Sequence, residues 1–176
     1  MLSIEKIFLE SAIKRLSYYK ELGDKTLAVL GTADLHVAPN EESNSIAVII
    51  QHISGNMLSR WTNFLNSDGE KDWRNRDEEF AINDASKEAI VAMWEKGWDC
   101  CLGALNSLTP DDLLKTIYIR HEPLTVIDAI NRQLAHYPYH VGQIIFIAKM
   151  IRNHQWQSLS IPRNQSAAFN RQMKNK

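Results

Sequence analysis

Four stretches of this chain repeat apolar residues at spacings of three and four, and nothing else in the sequence constrains the fold as strongly. In residues 3–28, Phe8, Ala12, Leu16 and Tyr19 share one side of a helical wheel. Lys6, Glu10, Lys14, Ser17 and Glu21 form a polar stripe on another side, with Arg15 close to the apolar one. In residues 45–65, Ile46, Ile49, Ile50, Ile53, Met57, Trp61 and Phe64 recur behind Asn44 or Ser45 as the cap. Residues 85–107 place Ile90, Trp94, Trp98, Cys101 and Leu105 on one face. Residues 125–153 open with Thr125 and Asp128 in capping-box positions and continue through Val126, Ile130, Tyr137, Val141, Ile144, Ala148 and Ile151. Such helices cannot bury their stripes separately, so the expected fold is an all-α four-helix bundle in one domain, 1–176. With 7 glycines and 5 prolines in 176 residues, the chain is too poor in turn formers for a sandwich or barrel.

The three connections each take roughly fifteen residues or more, where bundle loops take about 2–8, so long crossovers are expected. The stretch Asn66 to Asp84 is polar but holds Trp73 and Phe80, which predicts a loop packed on the bundle end. Its mixed charge reads as solvated; the alternative gives Arg74 or Arg76 a substrate carboxylate to bind. Thr116 to Glu122 alternates in a strand-like way. Residues 154–176 read as a surface tail, with Arg163, Arg171, Lys174 and Lys176 and no acid after 163.

A net charge of -1 argues against nucleic acid or an anionic membrane surface as partner. The longest apolar run, Ala89 to Trp94, falls far short of the ~20 residues that cross a bilayer. Glu5, Lys6 and Glu10 interrupt the stretch where a secretory signal would be apolar. The cysteines, Cys100 and Cys101, are adjacent and cannot staple distant segments; they read as a core thiol and its neighbour. A cytoplasmic location is expected.

His136 and His140 lie four apart in the last helical stretch, which stacks their rings on one flank. His52 sits at the same stripe edge on the second. Three imidazoles from two helices can make a half-open metal site. The competing reading has each histidine bonding a neighbour. No Glu follows His136, so this is not the zinc-protease helix. Pro138 between the pair is expected to kink the helix. Two imidazoles on one side of a helix cannot hold opposite faces of a haem. His121 reads as a solvated loop residue, and His36 and His154 have no partner at ligand spacing.

Ser45-Ile46-Ala47 leading into Gln51-His52, and His136-Tyr137-Pro138-Tyr139-His140-Val141-Gly142-Gln143, resemble the DinB/YfiT-like superfamily of metal-binding four-helix bundles. Gly55-Asn56-Met57, Ser59 to Phe64, the loop Ser67 to Phe80 and Leu159-Ser160-Ile161-Pro162-Arg163 resemble an uncharacterised branch of it, a domain of unknown function. The resemblance implies an up-down-down-up bundle, a homodimer, and a divalent metal on His52, His136 and His140. Asn56 and Gln143 are expected to orient the imidazoles. Zinc or nickel suits such a donor set.

Neutral imidazoles leave the ion's charge uncompensated, so the open position favours hydroxide, thiolate or carboxylate. The resemblance to thiol-dependent transferases implies S-transfer from a low-molecular-weight thiol to a small electrophile. The alternatives are a metal-dependent hydrolase and a non-catalytic dimeric protein with a structural metal. No Asp or Glu is positioned by sequence as an obvious base, which favours transfer. No side chain is assigned as catalytic.

Overall fold

The computed structural model describes residues 3–81 and 84–174. Ile82 and Asn83 of the predicted loop, and Asn175 and Lys176 of the predicted tail, lie outside the described residues, as do Met1 and Leu2. Six α-helices are described: α1 (Ile4–Ala28), α2 (Thr32–Leu35), α3 (Ile46–Trp61), α4 (Lys87–Asn106), α5 (Val126–Arg152) and α6 (Ser166–Lys174). The four long ones are the predicted bundle. Each starts on a side-chain cap: Ser3, Ser45, Ser86 and Thr125 accept the backbone N–H three residues on.

Contacts between the helices fix their directions. Ser54 of α3 donates to the Met93 carbonyl of α4, and Met57 lies level with Cys100, so α3 and α4 run parallel. On α5, Tyr137 meets both Asn56 and Trp61 while His140 meets His52, so α5 is antiparallel to α3. Lys20 reaches Glu95, Asp24 reaches Trp94, and the Leu30 carbonyl reaches Lys87, so α1 opposes α4. The order is up-down-down-up, with α1 and α3 on one diagonal and α4 and α5 on the other. Parallel neighbours cannot be joined by a short turn. The chain from Thr62 to Ser86 must therefore travel back along the bundle before α4 starts, and this is why that connection is long.

The core is continuous. Trp94, Trp98, Tyr137, Leu16, Ile46, Ile50, Ile53 and Met57 are among its most buried side chains. α3 is buried on nearly all sides, because α4 and α5 flank it and the returning loop covers the rest. It ends at Trp61, four residues before the predicted limit. Asn63 takes a left-handed φ of 49°, which asparagine tolerates and which stops the helix. Phe64 is nevertheless buried, as its place in the stripe predicts.

The strand-like stretch is a hairpin, β1 (Thr116–Ile119) and β2 (Glu122–Thr125), paired antiparallel with Ile119 opposite Glu122. Arg120 and His121 form its turn with φ of 55° and 64°. That conformation usually calls for Asn or Gly. Asp68 offsets the strain by accepting both backbone N–H groups at 2.8 Å. The predicted tail lies on the surface, and its residues 166–174 form the exposed helix α6. Among the described residues no helix is long and apolar enough to cross a membrane.

Candidate metal centre

His52 stands near the middle of α3 and faces α5, where His136 and His140 lie one turn apart. One ring nitrogen from each of the three lies within 4.8 Å of the others. The Nε2 atoms of His136 and His140 are 3.1 Å apart. α5 runs without interruption through Pro138, so the predicted kink does not separate the pair.

The opposite nitrogen of every ring is tied. His52 Nδ1 donates to Glu79 Oε2 at 3.0 Å. His140 Nδ1 donates to Gln143 Oε1 at 2.8 Å, and His136 Nδ1 to Gln133 Oε1 at 3.3 Å. Carboxylate and amide oxygens only accept, so these bonds fix the proton on Nδ1 and leave a lone pair on each Nε2. Two lone pairs 3.1 Å apart repel unless a cation lies between them. Tetrahedral zinc, with bonds of ~2.0 Å, sets its ligand nitrogens ~3.3 Å apart, close to that spacing. The donor set therefore fits a divalent ion, and the acceptors behind the rings are what such sites use to aim imidazoles.

Electrostatics favour the neutral form of the two α5 rings. Burial lowers His136 to about 4, helped by the neighbouring His140 and His52 and by the charges of Arg132 and Arg60. Burial also lowers His140; the bond to Gln143 opposes this, and His52 adds to it. A neutral imidazole is the form that binds metal.

Glu79 comes from the loop read above as solvated, and that reading is corrected here. It is buried at 7% exposure beside Gly55, where α3 has no side chain to exclude it. Burial pushes its carboxyl up, but the bonds from His52 and Arg74 and the Arg74 charge outweigh this and hold it below the usual range. Arg74 forks onto it, Nε to Oε1 at 2.7 Å and Nη2 to Oε2 at 2.8 Å. Phe80 stacks against His52 with ring centroids 4.7 Å apart. Trp73, expected to pack with it, is instead 60% exposed.

Of the two residues expected to orient the imidazoles, Gln143 is bonded to His140. Asn56 accepts from the buried Tyr137 hydroxyl at 3.1 Å, and Tyr137 accepts from Trp61 at 3.0 Å. Asn56 thus ties α3 to α5 through Tyr137, while Glu79 and Gln133 take the positions behind His52 and His136. Gln133 stands three before His136, which the spacing could have revealed; Glu79 is 27 positions from His52, and no local pattern marks it. His121 is exposed, as expected of a loop histidine. Burial, followed by the neighbouring Cys100, raises the Cys101 thiol far above its normal value, so Cys101 is inert core.

Two of the three histidines, His52 and His136, line a cavity of about 510 Å³. His52, Asn56, Gln133, His136 and Tyr139 line it together with five arginines.

The fold has a solved counterpart. A crystal structure of a DinB-like protein from Bacillus cereus ATCC 10987 at 2.01 Å resolution superposes with a TM-score of 0.61, covering 85% of this chain and 93% of that one at 20% identity. That likeness shows the bundle and nothing about chemistry. Among curated proteins no match is found. A family model described as "Protein of unknown function (DUF1572)" matches residues 3–165, nearly the whole sequence. The chain belongs to the DUF1572 family and folds as a DinB-like bundle.

Proposed function

We propose that the protein is a divalent-metal-dependent transferase that joins the sulfur of a small thiol to a small electrophile. The observation that carries this reading is the grouping of one ring nitrogen from each of three histidines within 4.8 Å, with His52 and His136 lining an open cavity. A metal that only cross-linked α3 and α5 would have no need of that opening. A divalent ion held there supplies Lewis acidity that draws the proton from a coordinating thiol.

The chain's residues support transfer over hydrolysis. Glu79 is the carboxylate at the triad, and both its oxygens are committed to His52 and Arg74, so it is not free as a base for water. A thiol, with a pKa of ~8.5, gives up its proton to solvent without such help. The sulfur pair then forms the C–S bond as the electrophile's bond to its leaving group breaks and that group departs with the electrons. Tyr137 and Asn56 hold α3 and α5 in register beside the triad.

Elemental analysis of untagged protein comes first. Wild type is expected to carry divalent metal in near-equal ratio to chain, with His52→Ala and His140→Ala stripped of it. Equal trace metal in all samples ends the proposal. Cobalt-loaded protein is then titrated with a small thiol, and a sulfur-to-metal charge-transfer band is expected. Full metal loading without that band, and without consumption of a reactive alkyl halide, leaves the structural role instead.

A further inference from the structure

The cavity beside the histidines has an unusual lining. Arg60, Arg74, Arg76, Arg120 and Arg132 line it, and among the described residues no carboxylate does. Among the described residues, two carboxylates pair with these arginine side chains. Glu70 bonds Arg60 at 3.0 Å and Arg120 at 2.9 Å and lies 3.6 Å from Arg74; Glu79 takes the fork of Arg74. Asp68 is spent on the backbone N–H groups of Arg120 and His121. Five guanidinium charges against Glu70 and Glu79 leave three uncompensated, and counting Asp68 still leaves two.

The donors are not saturated either. Arg60 and Arg74 have side chains only 4% and 2% exposed, yet Arg60 Nε and Arg74 Nη1 make no hydrogen bond. Unmade bonds on buried cations are costly, and both residues belong to the cavity lining. Arg76 lies over the Phe80 ring at 5.2 Å. Arg132 makes no hydrogen bond or ion pair among the described residues and stands one turn before His136 on α5, close enough to depress its ring. The cation cluster thus shares one chamber with His52 and His136 of the triad.

We infer that this chamber binds a small molecule through a compact oxyanion group of charge two, a phosphate ester or a dicarboxylate, seated on the arginines while its reacting atom points to the histidines. Guanidinium forks match both oxyanions in shape and charge. The inference deepens the proposed function and rests on it for the reaction, whereas the anion site itself needs no metal.

The test uses metal-free, full-length protein titrated calorimetrically with inorganic phosphate and, separately, with succinate. The double variant Arg76→Gln with Arg132→Gln removes two exposed cations and spares the buried pair, so the fold is kept. Lys14→Gln with Lys149→Gln matches the charge loss on distant exposed positions. Saturable binding of one or both anions to wild type and to the lysine control, at least tenfold weaker in the arginine variant, supports the site. Tighter phosphate assigns the ester, tighter succinate the dicarboxylate. No saturable binding of either anion overturns the inference, as does equal affinity in wild type and arginine variant, or an equal loss in the lysine control. Anion binding by a protein that never takes up metal ends the transferase reading and leaves this one standing. Metal uptake without anion binding does the reverse.

Discussion

At the scale of single residues, Glu79 decides how well the triad works. It aims His52 and neutralises part of the charge gathered there. Glu79→Gln keeps the size and one acceptor but loses the charge. Metal affinity is expected to fall about 10–100-fold, with the fold intact, measured by competition with a chelating dye. His136 sets a pH dependence. Folded it titrates near 4, against 6.5 for a free imidazole. Above pH 6.5 the folded and unfolded chains are both neutral at this ring. As pH falls from 6.5 toward 4 the unfolded chain takes up the proton first, so metal-free stability is lost across that window. After allowance for the ring's partial exposure the loss is about 1–2 kcal/mol. Melting curves of metal-free wild type across pH 4 to 7, compared with His136→Gln, check it; parallel curves contradict the assignment. The three histidines were legible because helical period alone puts His136 and His140 on one flank and His52 at a matching stripe edge. Glu79 was not, because in sequence it is one acid among six in a charged loop.

At the scale of elements, two glycines make different predictions. A Cβ on Gly23 would collide with the ring of Trp94, which is walled in by core and bonded to Asp24. Gly23→Ala is therefore expected to cost about 1–3 kcal/mol in denaturant melts, with metal binding per folded molecule unchanged. A Cβ on Gly55 would come within 2.8 Å of the Glu79 carboxyl carbon. That side chain must leave both His52 and the buried Arg74, so Gly55→Ala is expected to lower metal affinity about tenfold and to lower the melting temperature of the metal-free form as well. Equal metal affinity in Gly55→Ala and wild type would show that Glu79 does not aim His52. The four bundle helices were readable to within a few residues, since caps and apolar period both mark them. The α3 terminus was misread because a left-handed Asn63 ends the helix while the apolar period runs on to Phe64. Residue spacing also could not show that Trp73 faces solvent while Phe80 meets His52.

At the scale of the whole molecule, the triad links the two helices that the bundle sets antiparallel, α3 and α5. A bound ion adds stability in proportion to its occupancy, about 2.7 kcal/mol at a hundredfold excess over Kd. Chelator is expected to lower the melting temperature of wild type by several degrees and to leave His52→Ala unmoved. The up-down-down-up order was implied by the family resemblance. The contacts now supply its physical reason: α3 and α4 run side by side in the same direction.

That parallel pair carries a consequence for how such a protein can change over evolutionary time. The return segment from Thr62 to Ser86 is obligatory, and it packs on the bundle by covering α3 and burying Phe64. It also delivers Arg74, Arg76, Glu79 and Phe80 to the rim of the site. On the proposed function, one side of the chamber can therefore be changed by grafting a single contiguous stretch of about twenty-five residues, provided that Glu79 is kept behind His52.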